Sequence, residues 1–163
     1  MVTRLTIILC LFCTCFGCTS STPATSIKID IAGQSFTLEL ITTQESRTKG
    51  MMHRTSIPTH GGMLFIFPDT QNRSFWMKNC IADIDLIFLD SRGIITTLYE
   101  MRIESPKQEG ESDWQYEGRL NHYWSRGPAR FAIELASGSI NQLQLKINDK
   151  IPLDLQYLKS LAR

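Results

Sequence analysis

The sequence predicts a mainly β domain, an antiparallel β-sandwich or barrel-like fold with one or two short helices. Three observations lead there. Short apolar stretches alternate with polar residues at the two-residue period of half-buried strands, as Ile27, Ile29 and Ile31 do against Lys28 and Asp30. Turn-forming residues separate roughly eight such stretches. Helix-start signals are scarce, and the clearest is Thr42-Thr43-Gln44-Glu45.

The elements follow in order. Ile27–Ile31 and the alternation Phe36, Leu38, Leu40 flank Ala32-Gly33-Gln34 and predict a hairpin. Thr42 as N-cap with Glu45 three residues later predicts a short helix from Thr43 to about Met52, its end weakened by Gly50. Pro58 and Gly61-Gly62 break the chain before Met63–Phe67, a run apolar on both faces that suits a central strand. Phe75-Trp76-Met77 and Ile84–Leu89 read as strands, and Asp90–Gly93 turns into a strand over Ile94–Leu98. Glu104–Gly118 is polar and aperiodic, and predicts a long loop. Phe131–Leu135 is a strand, Ile140–Leu145 a short helical turn, and Ile151–Leu155 a last strand. With 163 residues, 42% hydrophobic and 20% charged, the chain has the composition of one globular domain. At that size it needs no metal or disulfide to build a core.

The N-terminus is a different material. Arg4 precedes an apolar run over Leu5–Phe16 that is too short for a membrane span of about 20 residues. It reads as a secretory signal peptide. The run ends in Cys15-Phe16-Gly17-Cys18, and Thr19–Pro23 after it is rich in Ser and Thr, which resembles a bacterial lipoprotein signal. The expected organisation is a signal over 1–17, Cys18 as the lipidated first residue, a tether over 18–26 and one β-rich domain over 27–163. Cys15 and Phe16 depart from the usual residues of that signal. Cleavage would remove Cys10, Cys13 and Cys15, leaving Cys80 as the single thiol and allowing no internal disulfide. It would also remove Arg4, bringing Lys+Arg from 17 to 16 against 16 Asp+Glu. A neutral domain without a basic stripe argues against nucleic-acid binding. The expected location is the cell envelope, on the outer membrane facing the periplasm where the organism has two membranes, since Thr19 is not the Asp of inner-membrane retention.

Five segments in order, GMMHR (50–54), GGMLFIF (61–67), FWMKN (75–79), DLIFLD (85–90) and PARFAIEL (128–135), resemble the domain of unknown function 192 family over roughly Phe36 to Leu155. The resemblance implies a compact β domain of sandwich or jelly-roll type, often exported, and implies no activity. The chain departs from the family pattern at Cys80, where Thr is usual, and at Asp83, where Pro or a small residue is usual.

A polar and aromatic set supplies the candidate binding cluster: Arg54, Trp76, Asn79, Asp85, Trp114, Tyr116 and Glu134. Arg54 can clamp a carboxylate through its fork, or brace the fold by pairing with Asp83, Asp85 or Glu134. Asn79 and Asp85 can orient a hydroxyl, or cap turns at strand ends. Trp114 and Tyr116 fall in the polar loop, where exposed rings would stack on sugar faces, while Trp76 and Trp124 suit the core. His53, His60 and His122 lack the paired spacing of zinc sites, so no metal and no cofactor is expected. Cys80 has no nucleophile signature around it and is expected to be a small buried hydrophobe. These features favour a lipid-anchored envelope domain that binds a glycan or a protein partner. The alternatives are a hydrolase using Asp85 or Glu134 with Arg54 and Asn79, and a structural or accessory envelope subunit.

Overall fold

The computed structural model describes residues 25–162, so the signal, Cys18 and most of the tether lie outside the described residues. Eight strands and four short helices appear among them, a mainly β domain without a closed barrel. Six strands form one sheet: β1 (Ser26–Ile31), β2 (Gln34–Ile41), β3 (Gly61–Gln71), β5 (Ile84–Leu89), β6 (Ile95–Met101) and β8 (Ala129–Ala136), ordered β1-β2-β3-β8-β5-β6. A separate ribbon pairs β4 (Ser74–Phe75) with β7 (Tyr123–Trp124).

Within this class one pairing is parallel. The hairpin β1–β2 is antiparallel as expected, but β2 runs parallel to β3, from Thr37↔Gly61 to Ile41↔Phe65. Parallel neighbours need a crossover of a dozen or more residues. Residues 42–60 provide it, including helix α1 (Gln44–Lys49). Its cap sits one residue later than expected: Thr43 Oγ1 accepts from the Ser46 amide at 3.1 Å, and Ser46 Oγ accepts from the Thr43 amide at 3.1 Å. Ser46 thus fills the reciprocal role assigned to Glu45, and Thr43 that assigned to Thr42.

Both sheet faces are covered. On one, Ile29, Ile31, Leu38, Leu64, Ile87, Ile133 and Leu135 pack under Ile140, Leu143 and Leu158. These last come from helix α3 (Ser139–Gln142), the turn after it, and helix α4 (Leu155–Leu161). On the other face, Met63, Phe65, Leu86, Phe88 and Ala132 pack under Met51, Met77 and Cys80, with Phe75 and Tyr123 of the ribbon against them.

Three expected elements are revised. The strand over Phe75–Met77 shrinks to Ser74–Phe75. The strand over Ile151–Leu155 is absent; only Ile94↔Lys150 bridges there, and Asp154 caps α4 by accepting from the Tyr157 amide at 3.0 Å. The polar loop contains helix α2 (Asp113–Arg119), started by Ser112 Oγ and the Gln115 side chain in a reciprocal cap. Both missed helices are only 7 residues long, too short to show a full amphipathic period.

Candidate functional site

A cavity of about 410 Å³ opens between α1, the far end of β3 and the segment 72–80. Its floor is Glu134. In β8 this residue stands opposite Met63 of β3 on one side and Leu86 of β5 on the other, among the apolar side chains of that core. The side chain is 4% exposed and its Oε2 has no hydrogen-bond partner among the described residues. Burial pushes the carboxyl up to about 8, against the opposing pull of the Arg54 charge. At neutral pH the group is therefore mostly a neutral acid, able to donate one hydrogen bond and accept others.

The walls are aromatic and the mouth is cationic. Phe65, Phe67, Phe75 and Trp76 line the cavity, together with Cys80. Arg47, Lys49, Arg73 and Lys78 stand around it, with Asp69. The guanidiniums of Arg73 and Arg47 both lie over the Phe67 ring, at 4.3 and 5.8 Å from its centroid. Gly50 closes α1 above Glu134 with φ +44°, a left-handed conformation that favours glycine. The Cys80 thiol is pushed up to about 12, chiefly by burial and then by the Glu134 charge, so it presents no thiolate. It is the small buried hydrophobe expected of it.

Beside the cavity runs an aromatic row on the surface. The β4–β7 ribbon turns Phe75 and Tyr123 toward the core and leaves Ser74 and Trp124 outward, as a two-residue period demands. Trp124 is 53% exposed and stacks on His122 at 6.3 Å with 29° between the planes. His122 in turn lies 5.7 Å from Trp76, and its Nδ1 is 3.0 Å from Ser74 Oγ. Trp76 is shared by the row and the cavity wall.

The predicted cluster is only partly assembled. Trp76 and Glu134 meet at the cavity. Arg54 lines a neighbouring depression with Glu39, Pro58 and His60. Its fork binds both Glu39 oxygens, at 2.6 and 2.7 Å, rather than Asp83, Asp85 or Glu134. That hydrogen bond is the main cause holding the Glu39 carboxyl below its ordinary value. Asp83 bonds Arg102 and the Ile103 amide instead. Asp85 is fully buried on the other face: it pairs with Leu135 while its neighbour Leu86 pairs with Glu134. There its Oδ2 accepts from the Ile140 amide at 2.7 Å and caps α3. Asp85 and Glu134 thus cannot act as a pair.

Asn79 is a brace. It adopts φ +54°, accepts from the His53 amide at 2.9 Å through its carbonyl, and donates its own amide to the Tyr116 hydroxyl at 3.0 Å. Tyr116 is buried, against the expectation that it would be an exposed loop ring, and Arg119 lies over it at 4.9 Å. Trp114, on the same helix, is 82% exposed as expected.

Sequence reasoning missed Glu39, Arg47, Asp69, Arg73 and the exposed placement of Trp124. The alternation of Tyr123 and Trp124 carried a usable signal for the last. Nothing local marks the others, because β2–β3–β8 pairing and the crossover bring them in. Among the described residues no group of His, Cys, Asp and Glu is arranged to hold a metal, and no helix is long and apolar enough to cross a membrane.

The family model of DUF192, described as Uncharacterized ACR, matches residues 26–153. The fold is similar to a crystal structure from Sinorhizobium meliloti of a protein proposed to be a transcription regulator. That likeness has 28% identity and a TM-score of 0.61, and covers 77% of this chain and 88% of that one. A protein of unknown function from Novosphingobium aromaticivorans is similar at 20% identity and TM-score 0.65, over 82% and 94% of the two chains. No curated protein matches the sequence.

Proposed function

The chain belongs to the DUF192 family, and from that premise we propose that it is a lipid-anchored domain of the bacterial cell envelope that binds a glycan. One observation carries the binding reading: the aromatic row Trp124–His122–Trp76 leads into a cavity floored by a buried neutral acid with an unpartnered oxygen. Sugar rings have apolar faces that stack on such rows and hydroxyls that pair with an un-ionised carboxyl. A buried polar atom left unpaired is costly, so a hydroxyl that satisfies Glu134 Oε2 removes that cost. The ring platform is thus Trp124 and Trp76; Trp114 neither lines the cavity nor contacts the row. The hydrolase alternative, Asp85 or Glu134 with Arg54 and Asn79, is disfavoured, because Asp85 faces the opposite core while Arg54 is held by Glu39 and Asn79 braces His53 and Tyr116.

The experiment is calorimetry and tryptophan fluorescence of the full chain against a panel of envelope glycans. Trp124→Ala is expected to weaken binding about tenfold, the equivalent of roughly 1.4 kcal/mol of stacking. Its thermal midpoint should hold, since the bond from the Tyr99 hydroxyl goes to the Trp124 backbone carbonyl and survives the change. A panel that gives no response with the native protein removes the glycan reading.

The anchor rests on the residue pattern before and after Cys18 alone. Cys18→Ser is expected to release the protein from the membrane fraction and abolish metabolic labelling with a fatty acid. Persistent membrane association would count against lipidation at Cys18.

A further inference from the structure

Resting on the glycan reading, we infer that the bound sugar is acidic, with a carboxylate seated between Arg73 and Arg47 at the cavity mouth. Two guanidiniums gather at one aromatic ring there, that of Phe67, at 4.3 and 5.8 Å from its centroid. Arg47 is held in place by bonds from its Nη1 to the carbonyls of Thr42 at 2.7 Å and Ile66 at 3.1 Å. Arg73 gives its Nη2 to Asp69, while its Nε is buried and has no acceptor among the described residues. That N–H is a charged donor lacking what a ligand carboxylate would bring.

The surrounding charges favour an anion of one unit. Lys78 is paired with Glu117 and Arg73 with Asp69, whereas Lys49 at the rim enters no ion pair among the described residues. Asp69 is the acid of the mouth, and its presence disfavours a dianion more than a monoanion. With Nη2 given to Asp69, the Arg73 donor left for a carboxylate oxygen is the Nε–H, a charge-assisted hydrogen bond. Deeper in, Glu134 is uncharged and does not oppose an anion, and its orphan Oε2 is the second unpaired polar atom lining the cavity. A uronic-type sugar meets all of these: its carboxylate reaches the arginines, its ring lies on Trp76 and its hydroxyls reach Glu134.

The test is titration of the full chain with methyl glucuronide, methyl glucoside and glucose 6-phosphate, at low and high salt. The glucuronide is expected to bind about tenfold tighter than the glucoside, with the preference shrinking as added salt screens the rim. Arg73→Gln should bring the ratio of glucuronide to glucoside affinity close to one. Lys49→Gln, which breaks no ion pair among the described residues, should halve it and serves if Arg73→Gln fails to fold. Equal affinity for glucoside and glucuronide would overturn the acidic-sugar inference and leave the glycan reading intact. Tighter binding of the phosphate would overturn the carboxylate assignment. Binding of none of the three, with no response across the wider panel, would sink both readings together.

Discussion

Gly62→Ala is expected to destabilise the domain by about 3 kcal/mol or more, lowering the thermal midpoint by roughly 6–12 °C. The reason is a close approach of two strands. A Cβ at Gly62 would run into the backbone carbonyl oxygen of Glu134, and would meet Leu135 Cδ2 at 2.9 Å and Leu38 Cδ2 at 3.1 Å. The first obstacle is main chain and cannot rotate away. Relief requires β3 and β8 to separate where Gly62 pairs with Leu135, at the residue next to the cavity floor. Gly118 is the control: it lies in α2, and a Cβ there meets nothing within 4 Å. Gly118→Ala should be neutral or stabilising by up to about 1 kcal/mol, as expected for alanine in an exposed helix. Chemical denaturation of both variants checks the pair, and similar midpoints for the two would refute the steric account.

Gly62 also shows where a sequence stops being informative. Its position beside an apolar run marks a strand boundary, and that much is readable from turn propensity. The demand for glycine comes from three strands meeting, one of them in a parallel pairing that alternation alone does not reveal. Glu39 has the same history. In β2 it looks like an ordinary outward-facing residue, yet it pairs with Met63, which pairs with Glu134, so two acids share one face two strands apart. Arg54 then binds the half-exposed one and leaves the buried one without a hydrogen bond. Ile27–Ile31, with its strict alternation, and Ile84–Leu89, an almost continuous apolar run buried on both faces, are legible because burial acts on each residue separately. α2 and α4 are less so, since a seven-residue helix is fixed by its caps and by what it covers. Likewise Asp85 and Glu134 look equivalent in sequence, and only the register assigns them to opposite faces.

Glu134→Gln is expected to flatten the fall in stability that the native protein shows between about pH 4.5 and pH 8. The folded carboxyl titrates near 8, against an ordinary value of 4.5. Within that window the folded state holds a proton that the unfolded state has lost, so stability declines as pH rises. Below it both states are protonated and the contribution is complete; above it both are ionised and the loss is complete. Each pH unit inside the window is worth about 1.36 kcal/mol, so the decline approaches roughly 5 kcal/mol at most. Gln has nearly the shape of the neutral acid and cannot ionise. The variant should therefore resemble the native protein at pH 5 and exceed it by several kcal/mol at pH 9. Asp85 is also held above its ordinary value by burial, but it is present in both proteins and drops out of their difference. Urea denaturation at pH 5, 7 and 9 makes the comparison, and parallel curves would mean that Glu134 is not a buried acid neutral at pH 7. The same titration bears on binding. Once ionised, Glu134 can no longer donate to a sugar hydroxyl, and its charge opposes an acidic ligand. Affinity for the glucuronide should then fall in the native protein as pH passes 8, and do so less in Glu134→Gln, whose amide keeps a donor at the cavity floor.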